Sequence, residues 1–80
     1  MNDWTDYADF WGLQDSITTV VEANGHVVWD IRQIGANIRL ELNGHISEDA
    51  VMDLCRQLPL AADYDGNGEH GAVFTLYINN

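Results

Sequence analysis

The run Asp63-Tyr64-Asp65-Gly66-Asn67-Gly68 has the residue types and spacing closest to recognisable chemistry in this chain. It fits the first six positions of a calcium loop of the form D-x-[DN]-x-[DN]-G, in which alternate oxygens meet a hard cation and the glycine allows a sharp turn. Asp63, Asp65 and Asn67 would supply the oxygens and Gly68 the turn. The pattern breaks at its twelfth position, where Phe74 stands in place of a bidentate glutamate, and Pro59 parts the run from a continuous entering helix. A loop built on the turn preferences of Gly, Asn and Asp, just before a last strand, is the competing reading.

Other reactive groups are sparse. His26, His45 and His70 each adjoin a glycine and show no H-x-x-x-H spacing, so no metal ligands are assigned. Cys55 falls on the apolar stripe of a predicted helix, where it packs as a small hydrophobe rather than serving as a nucleophile. A single cysteine makes no internal disulfide, and the fold is expected to need no oxidising compartment. No nucleophile elbow, phosphate loop or paired catalytic acid is recognisable, so the chain is expected to be no enzyme and to carry no cofactor.

What remains is carboxylate. Thirteen Asp and Glu stand against three Arg and no Lys, a net charge of -10. The acids gather at Asp3/Asp6/Asp9, at Glu48/Asp49/Asp53 and at Asp63/Asp65/Glu69, with Tyr64 between two of them as a candidate exposed anchor. Phosphate binding needs clustered positive charge, so direct recognition of nucleic acid is excluded by three isolated arginines, and an anionic membrane would repel this surface. A basic protein surface would attract it. An acidic surface also serves solubility, the plainer reading of the same charge.

The elements that would position these groups follow from periodicity. Asn2 or Asp3 caps a first helix with Trp4, Tyr7, Ala8 and Trp11 at i, i+3, i+4 and i+7, and Gly12 ends it. The β-branched run Ile17 to Val21 predicts a strand over 16–23. Asn24-Gly25 then predicts a hairpin turn, with a return strand over 26–33. Val20, Val27, Trp29 and Ile31 would share one face. Alternation over 37–43 points Ile38, Leu40 and Leu42 inward and Arg39 and Glu41 outward. Ser47 caps a second helix with the stripe Val51, Leu54, Cys55 and Leu58, and Pro59 stops it. Residues 60–71 read as turn-rich, and 72–79 as a closing strand with Phe74, Leu76 and Ile78 on one side.

The expected architecture is therefore α+β: one domain over residues 1–80, with a small antiparallel sheet of about four strands and two helices in the order α-β-β-β-α-β. Trp4, Tyr7, Trp11 and Trp29 are expected to be at least half buried. The start of the chain does not read as a signal peptide and no stretch approaches the roughly 20 apolar residues of a membrane span. A cytoplasmic setting is the expectation.

With its size, charge, lack of lysine and α+β pattern, the chain resembles the small acidic inhibitors of phages and mobile elements, especially anti-CRISPR proteins of the DNA-mimic kind. The resemblance implies binding to a basic nucleic-acid-binding partner. That partner would be a type I CRISPR surveillance complex (Cascade) at the surface that receives target DNA. The contact set would be Asp3, Asp6, Asp9, Glu48, Asp49, Asp53, Asp63, Tyr64, Asp65 and Glu69. An immunity-type inhibitor of a nuclease toxin, and a calcium-binding module using residues 63–68, stay open as alternatives.

Overall fold

The computed structural model describes the backbone from Asp3 to Ile78 and the side chains from residue 10 to residue 78. Two helices and four strands follow in the order α1 (Asp3–Ala23), β1 (Val28–Ile34), β2 (Asn37–Leu42), α2 (Glu48–Gln57), β3 (Ala61–Asn67) and β4 (Ala72–Tyr77). The class is α+β, with the expected two helices and four-stranded antiparallel sheet. The element order differs from the expected one at two places, and both have physical causes.

Residues 16–23 are helix, not strand, and Gly12 lies inside α1 rather than at its end. Phe10, Leu13, Ile17, Val20 and Val21 recur with helical spacing and face the core, where Ile17 and Val21 are fully buried. Burial of that stripe outweighs the few tenths of a kcal/mol that each β-branched residue costs a helix. Asn24-Gly25 accordingly closes a helix, not a hairpin. The His26 N–H donates to Val21 O at 3.1 Å and the Gly25 N–H to Glu22 O at 3.0 Å, while Gly25 takes φ +84°. This is a Schellman cap, and it satisfies carbonyls that the helix end leaves orphaned. The proposed cap at Asn2 lies outside the described residues.

The second difference is β3, which occupies the segment read as turn-rich. Ala62 pairs with Leu76 and Tyr64 with Phe74, so this edge strand gains from its neighbour what Asp, Gly and Asn lack in strand propensity. A bulge between Tyr64 and Asn67, with Gly66 at φ +94°, ends the regular pairing.

Sheet order is β1-β2-β4-β3, two hairpins joined through α2 so that β4 lies between β2 and β3. Ile38 and Leu40 on β2 pair with Leu76 and Phe74 on β4, and these four are fully buried together with Leu42 and Ala72. Both helices cover this face: Ile17 and Val21 from α1 and Val51 and Leu54 from α2 complete one core. Ser47 caps α2 by accepting the Ala50 N–H at 3.2 Å, and Leu58 turns extended ahead of Pro59, as the sequence predicts. Asn24 and Gln57 exchange side-chain hydrogen bonds of 3.1 and 3.2 Å, tying the ends of the two helices. Among the described residues no helix covers the other face of the sheet.

Candidate functional site

Strand alternation sends Arg39 and Glu41 of β2, Thr75 and Tyr77 of β4, and Asp63 of β3 to the helix-free face. On its β3 side this face is a ladder of hydroxyls and carboxylates. Tyr77 donates to Asp63 Oδ2 at 2.7 Å, and Thr75 donates to Asp65. The bond to Asp63 is the main reason that the Tyr77 hydroxyl is held above its usual range, since it favours the protonated phenol. Tyr64 points the other way, its ring 5.4 Å from that of Phe74, with its hydroxyl donating to Asn67 Oδ1 at 3.3 Å. The three oxygens of the calcium-like run thus sit on a strand, each with a hydroxyl donor of its own. Among the described residues no three His, Cys, Asp or Glu side chains gather as a metal-binding group.

On its β1 side the same face carries a groove lined by Trp29, Asp30, Arg32, Ile34, Arg39, Glu41, Glu69 and His70. Its floor is unusual. Glu41 points away from the core yet is only 5% exposed, because the loop after β3 folds over it. The His70 backbone N–H donates to Glu41 Oε2 at 2.9 Å and Arg39 donates to Oε1 at 3.1 Å. These bonds, the His70 amide foremost, hold the carboxyl below its usual range against the opposing effect of burial. His70 Nδ1 faces the same Oε2 at 3.4 Å without meeting hydrogen-bond geometry.

The loop needs its glycines. Gly71 bridges Gly44 so closely that an added Cβ would run into the backbone of Gly44 and the carbonyl of Leu42, and one on Gly68 would stand 2.9 Å from Glu41 Oε2. The His70 ring, carried by this loop, stacks on Trp29 with centroids 3.9 Å apart and planes at 20°. A bulge between Val28 and Asp30 takes Trp29 out of the alternation, so Val28 and Ile31 pack on the core while Trp29 does not. Trp29 is 52% exposed and Trp11 50%, against 38% for Tyr64. The expected ranking of these rings is therefore inverted. Trp4 and Tyr7 lie outside the residues whose side chains are described.

The predicted contact residues are spread over several elements. Glu48 and Asp49 are exposed on the first turn of α2, where the helix dipole favours them, and Asp53 pairs with Arg56. α2 packs against β3, so these acids and Asp63/Asp65 belong to neighbouring elements. Glu69 is exposed on the loop that lines the groove. Asp3, Asp6 and Asp9 fall on the first turns of α1, and their side chains lie outside the described ones. Trp29, His70 and Glu41 were absent from the predicted set. The only sequence signal for them was the glycine-rich 66–71 run, which sequence spacing alone does not place over β2.

No family model, curated protein or solved structure matches the chain. Among the described residues no helix is long and apolar enough to cross a membrane.

Proposed function

We propose that this protein is an inhibitor that occupies a positively charged nucleic-acid-binding surface with its carboxylates, in the manner of an anti-CRISPR protein that keeps target DNA from a type I surveillance complex. One observation carries the reading: the molecule neutralises all of its own arginines. Arg32 pairs with Asp30, Arg39 with Glu41 and Arg56 with Asp53, each within three residues in sequence. Asp15, Glu22, Glu48, Asp49, Asp63, Asp65 and Glu69 remain, all exposed and with no arginine partner among the described residues. Such a surface repels polyanions and is drawn to clustered Lys and Arg, most strongly at low ionic strength.

No catalytic group is assigned. Burial, followed by the charge of Asp63, pushes the Cys55 thiol up, away from nucleophilic use. The test is affinity for the purified surveillance complex at low and high salt. Binding is expected to weaken steeply as salt rises and to fall further in the double variant Asp63→Asn/Asp65→Lys. Affinity indifferent both to salt and to these substitutions would overturn the proposal.

A further inference from the structure

The carboxylate surface does not explain the most elaborate construction in the molecule. A tryptophan is held half exposed by a strand bulge, a stacked histidine and a loop pinned to a nearly buried carboxylate. Burying a carboxylate is costly unless it is well hydrogen-bonded, and a core tryptophan needs no such scaffold. The His70 carbonyl also accepts the Gly44 N–H at 2.8 Å, and the Gly68 N–H donates to Gly71 O at 2.8 Å, so the loop is fixed at both ends. Trp29 is thereby oriented before any partner arrives, which lowers the ordering cost of binding.

We propose that this groove receives an arginine side chain of the basic partner, its guanidinium laid against the Trp29 ring and paired with Glu69. The inference rests on the function proposed above and names the anchor within it. Arg32 and Arg39 also line the groove, but Asp30 and Glu41 hold them. Glu69 is then the one lining carboxylate with no basic partner among the described residues. A half-exposed indole beside a free carboxylate suits a planar guanidinium, which stacks and forks at once, better than a compact ammonium. Trp and Arg are also the residue types that most often dominate binding at interface centres.

The experiment titrates the isotope-labelled full chain with a capped hexa-arginine peptide at low ionic strength, with hexa-lysine as the charge-matched control. The Trp29 indole N–H and the His70 ring resonances are followed by NMR. The arginine peptide is expected to move both, and to bind about two- to fivefold more tightly than the lysine peptide. Glu69→Gln is expected to weaken the arginine peptide and Trp29→Leu to remove its advantage over lysine. The wild-type shifts alone decide the matter should Trp29→Leu fold poorly. Shifts confined to α2 and β3, with the Trp29 indole unmoved and the two peptides equal, would overturn the arginine anchor and leave the carboxylate surface standing. Binding of neither peptide would count against both.

Discussion

The Glu41 carboxylate accepts the His70 backbone N–H at 2.9 Å and an Arg39 N–H at 3.1 Å. Alternation along β2 correctly sends it away from the core, yet its burial comes from a loop 27 or more positions later in the chain, over residues 68–71. Because its folded pKa lies below the ordinary value of 4.5, its stabilising effect is present above that pH and is lost as pH falls through the folded value. Glu41→Gln is therefore expected to lower the melting temperature at neutral pH, with the gap to wild type closing in acid. Relief of repulsion among the other twelve acids is common to both proteins and cancels in the difference. Melting curves across pH 3 to 7 check this, and a gap independent of pH would contradict it. Cys55 offers a second check at this scale: its raised pKa and partial burial should make it react more slowly with a thiol reagent at neutral pH than it does in the unfolded chain.

At the scale of elements, the sequence was most legible where one period ran without competition. β2, α2 and β4 follow their apolar patterns almost residue by residue. In α1 two signals conflict: a helical stripe from Phe10 to Val21 and a β-branched run within it. Asn-Gly, which serves a hairpin as well as a helix end, then reinforced the wrong one. In β3 the Asp, Gly and Asn residues advertise a turn, while Ala62 and Tyr64 alternate with Asp63 and Asp65 beneath that signal.

Three substitutions separate the helix from the hairpin and test the loop. Gly12, with open space around it and no positive φ, should accept alanine and gain about 0.5 to 1 kcal/mol from helix propensity. Gly25→Ala should lose about 1 to 2 kcal/mol at its left-handed cap. Gly71→Ala should lose about 3 kcal/mol as Cβ meets backbone. Urea unfolding measures all three, and destabilisation by Gly12→Ala would argue against a continuous α1.

At the scale of the whole molecule, charge alone does not make a duplex. The body measures 40 × 22 × 21 Å with a radius of gyration of 12.3 Å. Duplex DNA of that length carries about 24 charges at one per roughly 1.7 Å, against a net ten here that are distributed over α1, α2, β3 and the loops. The proposed inhibition would then combine the carboxylates of α2 and β3 with a contact that is not purely electrostatic, for which the Trp29 groove is the structural candidate. The acidity and the class of fold were legible from composition and periodicity. The groove was not, because it is assembled from β1, β2 and a distant loop.

The most direct measurement is competition: a labelled target duplex bound to the purified type I surveillance complex, chased with this protein at low salt. The duplex is expected to be released as the protein is added, with release weakened by Asp63→Asn/Asp65→Lys and by higher salt. A complex that binds the protein and keeps its duplex, or one that ignores the protein altogether at low salt, would contradict the proposed function.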